Sequence, residues 1–329
     1  MMKSSLPRIV VVTRLSPFTQ LHRKYGTQEQ AAFYVKTRGQ SITAYQEGHN
    51  RVEAGLATVL ALLPVARRRA RVDRDELDRF VFEPEDLVIV VGQDGLVANV
   101  AKYLNDQFVL GINPDPARYD GILCTIPPGS TQDAITWAEA PDRPNLPRNL
   151  KGAFGEQRRV MAIVEREDGQ KLRSLNEVFI GHRTHQSSRY VIKANVEGVA
   201  KEERHSSSGI ICTTGTGATG WGRSVASQRG VTAILPTPEE PKLAFFVREP
   251  FPSVATGTSI DHGVVGPNEA LTVISEMGED GVIFADGIEN DRIEFTSGQV
   301  CTVRIDAGRL RLIVKVKEAE PEEEGPWRR

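Results

Sequence analysis

Leu87-Val-Ile-Val-Val-Gly-Gln-Asp-Gly95, then a helical pattern, then Gly111-Ile-Asn-Pro-Asp-Pro116, is the stretch that decides the fold of this chain. An apolar, β-branched run stops at Gly92, and two residues on Asp94 stands beside a second glycine. A strand that ends this way before a helix carries one carboxylate at its carboxyl end, where α/β sheets bind ligands. Glycines there let backbone N–H groups approach a phosphate closely. A carboxylate among such amides suggests a base acting on a hydroxyl while a phosphoryl group is held nearby. Taken alone, Gly-x-Asp-Gly is also ordinary turn chemistry; the buried strand before it and the helix after it favour the functional reading.

Working outward, Arg8–Thr13 reads as a first buried strand, residues 16–38 as mostly helical, and Ile42–Leu63 as a longer helix ended by Pro64. Its apolar stripe is Ala54, Leu56, Val59, Leu60 and Leu63. Val97–Leu104 reads as a short helix and Phe108–Ile112 as a further strand. Strands alternating with helices imply a parallel sheet covered on both faces. After Thr125 the grammar changes. Residues 126–152, rich in Pro, Asp, Asn and Gly, read as a linker or long loop. Beyond it come Arg159–Glu167, an Asp168-Gly169 turn, Lys171–Gly181, Arg189–Val196, Gly209–Thr214, Leu243–Arg248, Ala270–Ser275, Gly281–Ala285, Arg292–Phe295 and Gln299–Ile305, all strand-like. The expected architecture is an α/β nucleotide-binding domain over 1–125, a mainly-β domain over 126–317 forming a sandwich-like or curled antiparallel layer, and a disordered acidic tail over 318–329.

Composition narrows the function classes. The 329 residues carry a net charge of −2, with 40% hydrophobic and 26% charged residues, as in ordinary globular proteins. That balance calls for no nucleic-acid partner. The basic run Arg67-Arg-Arg-Ala-Arg71 is followed at once by Asp73, Asp75 and Glu76 and reads as a solvated face. No apolar run approaches the ~20 residues of a membrane span, and the start of the chain is too short for a signal peptide before its first strand. Three cysteines, Cys124, Cys212 and Cys301, lie in apolar surroundings without paired spacing. Reduced thiols and a cytoplasmic location are expected.

Two further constellations could carry chemistry. In Leu175-Asn-Glu-Val-Phe-Ile180, an amide and a carboxylate interrupt an apolar run. Such a pair can read an adenine edge or ribose hydroxyls, or can simply satisfy neighbouring backbone. In Ser206-Ser-Ser-Gly-Ile-Ile-Cys-Thr-Thr-Gly-Thr-Gly-Ala-Thr-Gly-Trp221, a strand opens into a Gly/Thr loop that ends at an aromatic residue. Hydroxyls and free amides suit phosphate or ribose and Trp221 could pack on a base, although glycine loops are often only tight turns. No Gly-Lys-Ser/Thr follows, so this is not a P-loop. His182 and His185 lack a third metal ligand, and Asp280 and Asp286, flanking an apolar strand, read as structural turns; no protein metal site is expected.

In this order and spacing, Val91-Gly-Gln-Asp-Gly95, Gly111–Arg118, Leu175–Gly181, Ser206–Trp221 and Val247-Arg-Glu-Pro250 resemble the NAD kinases, and more closely their mitochondrial-type branch, over about residues 8 to 305. The resemblance implies transfer of a phosphoryl group from ATP, or sometimes polyphosphate, to the adenosine ribose 2′-hydroxyl of NAD(H). It also implies a divalent metal such as Mg2+ and a homo-oligomer. Position by position, it implies Asp94 as general base and Gly92, Gln93 and Gly95 as the donor phosphate turn. Asn176 and Glu177 become a dinucleotide-contacting pair, and Thr216, Gly217, Thr219 and Trp221 the second-domain loop around the nucleotide. The chain departs from the family's usual Gly-Gly-Asp-Gly-Thr by carrying Gln93 and Leu96, and Ser208 stands where many members have aspartate. A lipid or sugar hydroxyl as acceptor, or a dinucleotide sensor without catalysis, are the alternatives these departures raise.

Overall fold

Every residue of β1 (Ile9–Thr13) and β3 (Leu87–Val91) is buried, as expected for strands covered on both faces. The computed structural model describes residues 7–119, 121–140, 146–196 and 198–316. Within it, β2 (Arg69–Asp73), β1, β3 and β4 (Phe108–Ile112) pair in parallel in that order. The basic run read as a solvated face is thus partly an edge strand. Arg67 is buried, donating to the Pro7 carbonyl at 2.9 Å and pairing with Glu139. An edge strand keeps one rim in water, so long cationic side chains fit it.

Helices α1 (Pro17–Tyr25), α2 (Gln28–Lys36) and α3 (Ile42–Leu62) form where the pattern placed them. Ser16, Thr27 and Ser41 cap them by accepting from N–H groups of the first turn. Helix α4 (Asp94–Ala101) begins three residues before the expected Val97. Residues 126–152 are not merely a linker: α5 (Thr131–Glu139) turns Thr131, Ala134, Ile135 and Trp137 inward, beside Leu56 and Val59 of α3. Short polar residues and prolines around it masked that stripe.

In the second half, β5 (Phe154–Arg166) and β6 (Lys171–Ser174) form the expected hairpin, with Gly169 at φ 87° in its turn. The strand then breaks. Glu177–His182 is a separate strand, β7, in another sheet. Two edge strands escaped the sequence reading, β9 (Val199–Ser207) and β12 (His262–Val265). Strand β16 (Val300–Lys315) continues ten residues past the expected Ile305. Its Arg311–Ile313 pairs in parallel with β4, and its first residues pair with β13 (Leu271–Ser275). One sheet therefore runs β2-β1-β3-β4-β16-β13-β8-β9, with β8 being Ser188–Val196, and β5 pairs along β16. The second sheet runs β12-β11-β10-β7-β14-β15, with β10 Ile210–Thr213, β11 Leu243–Val247, β14 Gly281–Ala285 and β15 Ile288–Glu294. The two sheets bury a shared core that includes Val164, Tyr190, Phe245, Val273 and Phe295. Helix α6 (Trp221–Arg229) packs through Ala226 against Ala244 and Phe246 of β11. No helix among the described residues is long and apolar enough to cross a membrane. The acidic tail expected over 318–329 lies outside the described residues.

Candidate active site

Asp94 is the first residue of α4, at the carboxyl end of β3. Its Oδ1 accepts from the amides of Leu123 and Cys124, and its Oδ2 from that of Ile122, each at 2.9 Å. A carboxylate offers about four lone-pair positions. Three are used by the 122–124 backbone, which leaves one on Oδ2 beside the open cleft. The same bonds pin that backbone, so Asp94 is structural as well as chemically exposed.

The departures from the usual glycine run have physical explanations. Gln93 is exposed and extended, with φ −94°, so no left-handed conformation is needed there. Leu96 is 1% exposed and packs in the core beneath the sheet, where a threonine hydroxyl would find no phosphate. A Cβ built on Gly92 would meet Leu96 Cδ2 at 3.2 Å, whereas one on Gly95 would meet nothing within 4 Å. Gly95 therefore faces open space.

Asn176 lies where the chain crosses from one sheet to the other, between β6 and β7. Its carbonyl accepts from Thr214 N at 2.9 Å and Thr213 Oγ1 at 3.3 Å. The side chains of Asn176 and Glu177 have no hydrogen bond among the described residues and line a cleft with Asp94, Gly95, Thr216, Gly217, Thr219 and Trp221. Gly92 and Gln93 border the adjoining hollow, which Asp94 and Gly95 share. The fold thus brings all ten predicted residues to one continuous groove between the α/β part and the β part. Burial, with the nearby Asp286 carboxylate adding to it, pushes the Glu177 carboxyl up to about 7.

The Gly/Thr loop is less available than its composition suggested. Thr214 Oγ1 donates to the Leu175 carbonyl at 2.5 Å and accepts from the amides of Thr216 and Gly217. Thr219 Oγ1 donates to the Thr216 carbonyl at 2.9 Å. Gly215 and Gly217 are needed for close approach, since a Cβ would lie 1.9 Å from Thr237 O and 2.3 Å from Asn176 O, respectively. Trp221 stacks on Phe179 at 5.9 Å between ring centroids, with the Arg248 guanidinium 5.3 Å from its own ring centre. It also borders a second hollow lined by His182, Arg183, His185, Ser208 and Arg292.

Three supporting residues were not found from sequence as site-builders. Asp286, read only as a turn, sits at φ 54° in the left-handed region. Its carboxylate accepts from Ser174 Oγ at 2.7 Å and from the amides of Leu175, Asn176 and Glu177 at 3.1, 2.7 and 3.3 Å. It fixes the crossover that presents Asn176. Lys102, the residue that closes α4 at its C-terminal end, reaches over to the Ala285 carbonyl at 2.9 Å and Asp291 at 3.2 Å, tying the Asp94 helix to the same turn. The third is Arg159, 4% exposed, whose guanidinium donates to Gln157 and to Thr216 Oγ1 at 3.4 Å. Burial lowers its pKa while Asp94 raises it. The signal for Asp286 was its place after an apolar strand, which any turn shares; Arg159 stands in an alternating strand like any surface arginine.

Among the described residues no cluster of three or more His, Cys, Asp or Glu could cage a metal. Asp94 could supply one oxygen, which fits a magnesium ion that takes its other ligands from donor phosphates and water.

An α/β parallel sheet joined to a mainly antiparallel β part is also the fold of solved NAD kinases. A solved NAD kinase from Archaeoglobus fulgidus in complex with ATP superposes with a TM-score of 0.52 at 18% identity, covering 94% of each chain. The yeast NADH kinase complexed with NADH superposes at 0.54 and 12% identity, covering 95% of this chain and 85% of that one. No protein-family model matches. In sequence, human mitochondrial NAD kinase 2 is 24% identical over 74% of this chain and 70% of its own length. The rat protein is 25% identical over 74% and 73%. In sequence and in fold the chain is thus similar to NAD kinases over most of its length.

Proposed function

We propose that this NAD kinase-like phosphotransferase forms NADP(H), moving the γ-phosphoryl group of ATP to the adenosine ribose 2′-hydroxyl of NAD(H). The observation that carries the reading is the single groove in which the open lone pair of Asp94 faces the unengaged side chains of Asn176 and Glu177. Asn176 and Glu177 hold the adenosine half, so that the 2′-hydroxyl donates to Asp94 Oδ2. The 2′-oxygen attacks the γ-phosphorus, the bond to the bridging β–γ oxygen breaks with its electron pair leaving on ADP, and the hydroxyl proton passes to Asp94. Phosphoryl transfer needs little covalent help, so one well-oriented carboxylate suffices. The turn amides at Gly92–Gly95, at the N-terminus of α4, receive donor phosphate charge. Magnesium, carried by the donor, neutralises phosphate charge when bound. Buried Arg159, near Asp94, adds positive potential from beneath the Thr216 loop. The extended Gln93 and inward Leu96 support an active enzyme over a sensor, because neither residue obstructs the turn. The boundary near 125, a homo-oligomer and a cytoplasmic location remain part of this proposal, the last supported by three buried free thiols.

The test is a mass-spectrometric assay of purified protein with magnesium, ATP and NAD or NADH. NADP(H) formed by wild type and lost in Asp94→Asn is the expected result. Binding of NADH without product under any donor would sink the phosphotransfer reading and favour a sensor.

A further inference from the structure

The hollow on the far side of Trp221, of about 420 Å³, has no part in the chemistry described so far. Trp221 lines both it and the acceptor cleft, whereas Asp94 lines only the cleft. Donor phosphates approach Asp94 over the Gly92–Gly95 turn. A dinucleotide whose adenosine is held by Asn176 and Glu177 therefore leaves the cleft on the Trp221 side. The hollow it enters has an aromatic floor. Phe179 stacks with both Trp221 and Phe284, at 5.9 and 4.8 Å between ring centroids, and Val282 packs beside them. His182 of β7 accepts the Thr184 amide N–H at Nδ1 at 3.1 Å, which leaves the ring proton on Nε2. A flat ring carrying a carboxamide suits such a floor with a donor at its edge.

Its rim is cationic. Arg183 follows β7, Arg248 follows β11 and Arg292 lies in β15, so one sheet brings three guanidinium groups to one opening. Against them the lining sets a single carboxylate, that of Glu289. Arg248 approaches Glu249, outside the lining, at 3.8 Å, and among the described residues Arg183 and Arg292 form no ion pair. Ser208, between β9 and β10, adds no charge.

We infer that the charge of this hollow selects the reduced dinucleotide, NADH, over NAD+ as the phosphoryl acceptor. The two differ at this end by one charge, since the oxidised ring is a pyridinium cation and the dihydronicotinamide ring is neutral. Their pyrophosphate bridge is the same, so whichever arginine it engages, the difference between them falls on the ring. Like charges repel more strongly in a partly enclosed site than in water. A pyridinium set on the Phe179 floor would also lose water without gaining a counter-ion. The attraction that an indole face offers a cation is taken by Arg248, whose guanidinium lies 5.3 Å from the Trp221 ring centre. The selection rests on the phosphotransfer reading above and adds to it the redox form of the acceptor and the residues that choose it.

The test combines titration calorimetry of NADH, NAD+ and ADP-ribose without donor with turnover of both dinucleotides in magnesium and ATP. Wild type should bind NADH about tenfold more tightly than NAD+, with a similar ratio in kcat/KM, and added salt should shrink that ratio. Arg183→Gln removes a cation from the rim, and because Arg183 is exposed its replacement leaves the fold intact. Ser208→Asp adds a carboxylate to the lining. Each should cut the NADH-to-NAD+ ratio by about threefold or more. Equal affinities for NADH and NAD+ in wild type would overturn the inference. So would an Arg183→Gln variant that weakens NADH, NAD+ and ADP-ribose alike, which would make the rim a pyrophosphate site only. Tighter NADH binding that fades in both variants, in a protein that forms no NADPH, would keep the selection and overturn the phosphotransfer reading. Transfer to both dinucleotides at equal kcat/KM would do the reverse.

Discussion

Two glycine-bearing segments face each other across the groove, and the same sequence signal has opposite causes in them. In the Gly92–Gly95 turn the backbone is open, and a side chain at Gly95 would project into empty space. In the Thr213–Trp221 loop Gly215 and Gly217 are closed in, pressed against the backbone of Thr237 and Asn176. The first is shaped for a guest; the second is shaped to hold the crossover that carries Asn176. Glycine density therefore marks close approach in general, and only the tertiary neighbours say whether ligand or protein comes close.

The largest expected effect belongs to the open side. Asp94→Asn should lower turnover by roughly 10²–10⁴-fold. It should also destabilise the fold by about 1–3 kcal/mol, since one amide oxygen cannot satisfy three N–H donors. Turnover and denaturant unfolding measured together separate the two losses, and full activity in this variant would end the case for Asp94 as base. On the closed side, Gly217→Ala should cost about 1–3 kcal/mol of stability through overpacking against Asn176 O. Chemical denaturation would reveal it; a neutral result would mean that the loop is as open as the turn.

Asp286→Asn tests the crossover itself. It should cost about 1–3 kcal/mol, because a residue accepting four hydrogen bonds loses acceptor capacity. It should raise KM for the dinucleotide more than it lowers kcat, and a pure stability loss with unchanged KM would remove its role in placing Asn176.

Glu177 adds a pH dependence. Its folded-state carboxyl is held up to about 7 against an ordinary 4.5, so the native protein favours the neutral form. Its contribution to stability is fully present below the ordinary value and is lost as pH rises through about 7. Glu177→Gln should therefore stabilise the protein at pH 8 relative to pH 5 by on the order of 1 kcal/mol. Equal melting shifts at both pH values would contradict it. In wild type, a ribose hydroxyl donating to the carboxylate should bind more tightly as pH rises through the same range. The smallest effect is expected at Gly95→Ala, which should change stability by less than about 0.5 kcal/mol while weakening donor binding severalfold. Unfolding comparable to that of Gly217→Ala would erase the contrast between the two segments.

Much of the architecture could be read from periodicity. The buried strands around Val10, Ile89 and Leu110, the capped α1–α3, and the β-rich second half all follow from local pattern, because burial on both faces or one face writes itself into residue spacing. What escaped was held by neighbours. Strand β2 is arginine-rich because it lies at an edge and α5 is hidden among prolines; the tail of β16 alternates from Arg309 to Leu312, but alternation names no partner, and its parallel pairing with β4 depends on residues about 200 positions away.

By itself, the sequence determined most of the element types and the Gly-x-Asp-Gly turn at a strand end, since each depends on a few adjacent side chains. The tertiary structure alone decided which glycines are open and which are closed. It also decided that Asp94 keeps one free lone pair, that Asp286 and Lys102 hold the crossover to α4, and that Asp115, paired through Oδ2 with Arg51, keeps a buried Oδ1 without a hydrogen bond. Those properties arise from atoms far apart in the chain whose separation depends on the packing of whole sheets, a quantity that local spacing does not encode.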